Sequence, residues 1–241
     1  RIYIMDQSVE SPDIETASVT YAKRFSGDWG KYLLARQEAL VAECLPEQGA
    51  GLNLLSVGGG HAQLTDLYTR RNFDTTVYGS EGAPVELLAP YDVHYQSGNI
   101  LNLPFADNSF DVVVAIRLLT HLDNWPRLLE EMCRVSKGQV IVEYPSKRSL
   151  NIISPILFKF KKQFEGDTRT FSLFTDTQVK KSLALYDYKK EYRKGQFFFP
   201  LVVHRMFKSN GILRGVETLL SKIRLSNILG SPVVMSARRQ K

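Results

Sequence analysis

The chain has 241 residues, 44% of them hydrophobic, 11% aromatic and 23% charged. That is enough apolar material for one packed domain with a cap, and it excludes a disordered tail, a collagen-like chain and a stapled mini-protein. The formal charge of +6 conceals an asymmetry: 11 Lys+Arg stand against 19 Asp+Glu over residues 1–146, and 20 against 6 over 147–241. A basic second half suits solvated faces, an anionic substrate, an acidic membrane surface or a nucleic acid. With only Cys44 and Cys133, and four scattered histidines, neither a disulfide framework nor a zinc cluster is expected, and a reducing cytoplasm is the expected location. No apolar run reaches the roughly 20 residues that cross a bilayer. The start at Arg1 lacks the charged-then-apolar pattern of a signal peptide and reads as a trimmed start.

In chain order, residues 21–42 read as a helix with apolar residues at Tyr32, Leu33, Leu40 and Val41. A buried strand at 52–57 runs into Gly58-Gly59-Gly60 and then a helix with Leu64, Leu67 and Tyr68 on one face. Strands follow at 75–78 and 93–96, the first leading to a short helix near Pro84. Residues 110–116 are so continuously apolar that they suit a central parallel strand covered on both faces. Pro126 opens an amphipathic helix, and 139–142 returns as a fifth strand. Residues 152–164 mix apolar and basic side chains, and Thr175 is placed to cap a helix to about Leu185. Residues 186–199 read as a long strand, 211–229 as a helix and 232–237 as a closing strand. Strands alternating with helices mean an α/β, doubly wound, mostly parallel seven-stranded Rossmann-like sheet with an antiparallel final strand and a helical lid. The expected division is a lid segment at 1–46, a cofactor-binding core at 47–146, a basic cap at 147–185, and strands and a helix completing the sheet at 186–241.

The three glycines at the end of the first strand let backbone approach a ligand closely, although a tight turn alone would also use them. Glu81, 21 residues beyond Gly60 and at the end of the second strand, adds a carboxylate able to accept both hydroxyls of a ribose. The third glycine of a nicotinamide fingerprint is missing, because Gln63 stands there, and no phosphate loop of the G-x-x-x-x-G-K-[ST] type exists.

With Ser56-Val57-Gly58-Gly59-Gly60, Val77-Tyr78-Gly79-Ser80-Glu81, the run from Gly98 to Val113 and Arg117-Leu118-Leu119-Thr120-His121-Leu122, the chain resembles a class I S-adenosylmethionine-dependent methyltransferase of the small-molecule and quinone-type group, over about residues 50–145. The resemblance implies S-adenosyl-L-methionine as cofactor, S-adenosyl-L-homocysteine as product and no metal. It implies cofactor contacts from Tyr21, Ser56, Gly58, Gly59, Gly60, His61, Glu81, Gly82, Asn99, Ile100, Arg117 and Leu118. The chain departs from the family in three places: Ser56 replaces the acid that opens the glycine motif, Ala62 replaces the last loop glycine with His61 where a small residue is usual, and Asn99 replaces the adenine-contacting Asp.

In-line transfer of a methyl group demands positioning above all, and a base only when the acceptor must lose a proton. His121, just beyond the fourth strand, is the candidate base, or else packs at the turn, and Tyr144 is the candidate for orienting the acceptor. The expected acceptor is a small or lipid-like, amphiphilic and anionic molecule, with peripheral contact to an anionic membrane. The motifs leave two alternatives: a nucleic-acid methyltransferase, disfavoured because no N/D/S-P-P-Y/F sequence follows the fourth strand, and a noncatalytic adenosyl-ligand binder. Oligomeric state is not legible.

Overall fold

The computed structural model describes residues 9–149, 172–206 and 211–240. Seven strands form one sheet in the order β3-β2-β1-β4-β5-β7-β6. They are β1 (Asn53–Val57), β2 (Asp74–Ser80), β3 (His94–Gly98), β4 (Phe110–Ala115), β5 (Ser136–Tyr144), β6 (Tyr188–Phe197) and β7 (Ser231–Arg239). The first five are mutually parallel, and β7 lies antiparallel between β5 and β6. The doubly wound sheet read from the alternation of elements is therefore the sheet observed.

β1 and β4 are adjacent and buried because their side chains pack on both faces. Leu55, Val57, Val113 and Ala115 join one core cluster, and Leu54, Val112 and Val114 the other. Strand order reverses between these two strands, so a crevice opens at their carboxyl ends, where open α/β sheets bind ligands. Gly58 and Leu118 both lie there.

Helices α1 (Asp13–Thr16), α2 (Val19–Ala22) and α3 (Gly27–Cys44) replace the single helix expected at 21–42. The chain breaks at Ser26, which is extended at φ −71, ψ 159, so the first two helices can fold back across the carboxyl edge of the sheet. Beyond β1 come α4 (Thr65–Arg70) and, after β4, α5 (Trp125–Val135), whose Leu128, Leu129 and Met132 are fully buried. The helix expected near Pro84 is a 3-10 turn at Glu86–Leu88. Arg134 pins the loop between β3 and β4 by donating to the carbonyls of Leu103 and Phe105 and pairing with Glu131 and Asp107.

Helix α6 (Asp176–Ala184) starts at Thr175 as expected: Thr175 Oγ1 accepts from the Gln178 backbone N–H at 3.2 Å, and Gln178 Oε1 accepts from the Thr175 N–H at 2.9 Å. Between β6 and β7 the chain forms α7 (Leu201–Met206), α8 (Gly211–Lys222) and α9 (Leu225–Leu229). The helix expected across 211–229 is split because Arg224 adopts a left-handed conformation at φ 62. The mixed apolar and basic stretch at 152–164 lies outside the described residues. Among the described residues no helix is long and apolar enough to cross a membrane.

Candidate active site

The glycine turn is tight by necessity. Gly58 has φ +68, and a Cβ there would come 2.9 Å from Leu118 Cδ1. Its N–H donates to the Tyr78 carbonyl at 2.8 Å, tying the turn to β2. A Cβ on Gly59 would meet Ser56 Oγ at 2.3 Å, which places the Ser56 side chain beneath the turn. A Cβ on Gly60 would meet the Ala17 Cβ at 3.0 Å and the Pro84 carbonyl at 3.1 Å.

Ala17 belongs to the segment that carries α1, and Asp13 of that helix reaches the end of β2. Its Oδ2 accepts from the Ser80 N–H at 2.8 Å, while its buried Oδ1 has no hydrogen-bond partner among the described residues. Ser80 Oγ is buried in the same condition. The sequence reading puts this stretch within the lid segment 1–46 but begins its helix at Tyr21 and does not single out Asp13; an acid in the first turn after Pro12 is the available signal. Glu81 follows exposed, and Gly82, at φ +78, faces open space. At the β3 end, Asn99 Oδ1 accepts from the Leu101 N–H at 2.9 Å and Ile100 is fully buried. A carbonyl oxygen retains a second lone pair after one such bond. The donor set therefore fits an adenosyl cofactor: a side-chain-free turn, carboxylates at the β2 end, unpartnered buried oxygens beside them, and an amide and an apolar wall at the β3 end. Among the described residues no group of His, Cys, Asp and Glu is arranged to hold a metal ion.

His61 is buried behind this turn, and its Nδ1 accepts from the Gln63 N–H at 3.2 Å. Burial, and secondarily the charge of Arg117, lowers its pKa to about 4, so the ring is neutral and carries its proton on Nε2. Because the folded value lies below the ordinary 6.5, the unfolded chain binds this proton first. The stabilisation is complete above about pH 6.5 and is lost as pH falls through about 4. Chemical denaturation across that window should show a decline on the order of 3 kcal/mol that His61→Gln removes.

A cleft of about 570 Å³, its mouth included, opens in front of β4 and β5, with Tyr21, Phe25 and Leu33 on one side and Leu201 and Pro232 on the other. Its polar floor is a hub around Glu143. Oε1 accepts from the side-chain amides of Gln37, at 2.8 Å, and Gln196, and Oε2 accepts from the Arg117 N–H at 3.1 Å. Both glutamines must turn their NH2 groups to the carboxylate, which leaves their carbonyl oxygens buried and unpartnered among the described residues. Arg117 holds a left-handed backbone at φ 58, and its guanidinium lies 4.0 Å from the Phe25 ring centroid. Burial lowers its pKa from the usual guanidinium value, opposed by Glu143, and it stays charged. Its Nη1 is buried without a hydrogen-bond partner among the described residues.

His121 and Tyr21 line this cleft, and Leu118 lies fully buried beneath the turn. Tyr144 has a different task from the one read in the sequence. Its ring walls the cleft, but its hydroxyl donates to Asp176 Oδ1 at 2.9 Å, and Asp176 is in turn paired with Arg193 at 3.0 Å. Burial and the Asp176 charge push the phenol pKa up, so its proton is committed inside the fold and not offered to an acceptor. The structure thus separates two groups of expected residues. Gly58, Gly59, Gly60, Glu81, Gly82, Asn99 and Ile100 sit along the edge of β1 to β3, and Arg117, His121, Tyr144 and Tyr21 around the cleft. Ser56 and His61 lie behind the turn.

Residues 55–142 match the model of a methyltransferase domain. An uncharacterized methyltransferase of Mycolicibacterium vanbaalenii is 31% identical over 129 residues, covering 50% of this chain and 50% of that protein. The chain spans about half the length of the curated relatives it matches. Magnesium protoporphyrin IX methyltransferase of Synechocystis, solved with bound S-adenosylhomocysteine, superposes with a TM-score of 0.62 at 13% identity, covering 93% of this chain and 96% of that one. An S-adenosylmethionine-dependent methyltransferase of Archaeoglobus fulgidus does so with a TM-score of 0.62 at 15% identity, covering 91% and 98%. At these identities the likeness to the solved structures is one of fold.

Proposed function

We propose that this chain, whose residues 55–142 match a methyltransferase domain, is a class I S-adenosylmethionine-dependent methyltransferase that methylates an acceptor bearing an anionic group. The observation that carries the acceptor class is Arg117: a guanidinium whose buried Nη1 has no hydrogen-bond partner among the described residues, in an otherwise largely apolar cleft. Glu143 supplies the opposing charge, but its oxygens are already taken by Gln37, Gln196 and a backbone N–H. Leaving a cationic donor unsatisfied costs more than a neutral one, so a carboxylate or a similar oxyanion is the natural complement.

When bound, S-adenosylmethionine supplies a methyl group on a positively charged sulfur, whose departure needs no metal. The turn at Gly58–Gly60 gives that ligand close backbone approach, and Glu81 offers acceptors for ribose hydroxyls. Phe25, stacked on Arg117, fixes the guanidinium plane and so the direction from which an anion enters. His121 faces the same cleft and is the side chain placed to take a proton from a hydroxyl acceptor.

The test uses matched probes: an aromatic hydroxy acid and its neutral methylamide, with S-adenosylhomocysteine release as readout. The acid is expected to be turned over and the amide not. Arg117→Met should raise the KM for the acid by about tenfold to a hundredfold, the scale of a hydrogen bond to a charged group. Its affinity for S-adenosylhomocysteine should stay unchanged. Equal turnover of the amide, or a loss confined to S-adenosylhomocysteine binding, would remove Arg117 from acceptor recognition. A second reading, an adenosyl-ligand binder without turnover, draws on α1 lying over the glycine turn; binding of S-adenosylhomocysteine with no methyl transfer to any acid probe would favour it.

A further inference from the structure

Helices α8 and α9 present an apolar stripe that the core does not use. Ile212 is 81% exposed, Val216 39%, Leu219 59%, Ile223 61% and, on α9, Ile228 59%. The first four follow one another at intervals of 4, 3 and 4 residues, the spacing of one helical face. The opposite face of α8 is fixed to the body of the protein. Glu217, 3% exposed, accepts from the backbone N–H groups of Phe198 and Phe199 at 3.0 and 2.9 Å and contacts His204 Nε2 at 3.0 Å. Arg36 donates to Ser221 Oγ at 3.0 Å, and Arg214 lies over the Tyr32 ring at 4.7 Å. These ties set the rotation of the helix, so the stripe faces outward by construction.

We propose that this stripe is a docking surface for an anionic lipid bilayer. The charge beside it decides among occupants. Over α8 and α9 the one acid, Glu217, is buried in the contacts just described, while Lys222 and Arg224 are exposed. A second copy of the chain docked on this face through a two-fold axis would bring in a second Lys222 and Arg224 with no exposed acid from these helices to answer them. An RNA would find aliphatic side chains where it needs aromatic rings for stacking. A bilayer with acidic headgroups meets both features: aliphatic side chains enter the acyl boundary while flanking cations stay at the headgroups. This inference stands on the stripe and its charges and does not depend on the acceptor assigned to Arg117.

The experiment is co-sedimentation of the whole chain with vesicles of phosphatidylcholine alone and of phosphatidylcholine with phosphatidylserine, across a salt series, beside light scattering of the protein in solution. The chain is expected to pellet with the phosphatidylserine vesicles and to be released as salt rises. Leu219→Glu with Ile223→Glu should weaken that binding by roughly tenfold or more, as burying acids at an acyl boundary requires. Lys222→Glu with Arg224→Glu should do the same, and both double variants should keep the parent's melting temperature. If the first pair melts early, the charge-reversal pair decides the matter alone. Failure to bind phosphatidylserine vesicles, equal binding to neutral ones, or undiminished binding by the charge-reversal variant overturns the proposal. So does a dimer in light scattering that Leu219→Glu with Ile223→Glu converts to a monomer, since the stripe would then be a self-contact.

Discussion

Replacing Glu143 by alanine is expected to lower the unfolding free energy by about 3–5 kcal/mol, the scale on which removing one member of a buried charged arrangement acts. The carboxylate is 4% exposed and serves three donors from three distant parts of the chain: Gln37 on α3, Gln196 on β6 and the N–H of Arg117 after β4. Alanine would strand both amides and the N–H, and would take away the negative charge that offsets the Arg117 guanidinium. Urea denaturation should show the transition midpoint fall with little change in slope. Glu143→Gln keeps an acceptor oxygen and the side-chain volume, so its loss should be smaller, about 1–3 kcal/mol. An alanine variant within about 1 kcal/mol of the parent would mean that the hub is held by packing and that its hydrogen bonds add little.

Gly58→Val is expected to lower affinity for S-adenosylhomocysteine by about a hundredfold or more, measured by calorimetry. The left-handed φ of +68 costs a β-branched residue on the order of 1–2 kcal/mol or more. Its Cβ would also arrive 2.9 Å from the buried Leu118 side chain, so turn and crevice must both shift. The far-ultraviolet circular dichroism spectrum should be retained. Gly58→Ala carries the same dihedral penalty without the branch and serves as the milder variant, expected to bind more weakly than the parent and more tightly than valine. Unchanged binding by a folded Gly58→Ala and Gly58→Val pair would place the adenosyl ligand away from this turn.

The elements most legible in the sequence are those whose evidence is local. The run at Phe110–Ala115 and the glycines after β1 announce a central parallel strand and a ligand turn within a few residues each. Thr175 with Gln178 is likewise a self-contained signal, and the capping box is present. The break at Ser26 did carry a local signal, a serine N-cap before Gly27, which the apolar spacing on either side obscured, whereas Arg224 is a residue type with no preference for the left-handed backbone it adopts. The cleft around Glu143 was less legible still. Gln37 and Gln196 lie 106 and 53 residues from Glu143, and none of the three belongs to a motif. Only the sheet order brings them together. Tyr144 stands beyond the strand expected at 139–142 and is the last residue of β5, but its hydroxyl partner, Asp176, is 32 residues on, so its commitment to the fold could not be read from position alone.

The placement of β7 between β5 and β6 makes the assembly of the cleft depend on a strand synthesised after both of its sheet neighbours. β6 is made first, but its sheet neighbour is β7, paired from Tyr188 opposite Arg239 to Phe197 opposite Ser231. Until β7 emerges and adds along β5, β6 has no edge to join, and Gln196 cannot reach Glu143. Both strands therefore consolidate as one late cooperative unit whose pairings are distant in sequence, which slows folding relative to the locally wound half. A ribosome stalled before residue 231 would hold a nascent chain with the glycine turn within reach of completion and the cleft around Glu143 still open.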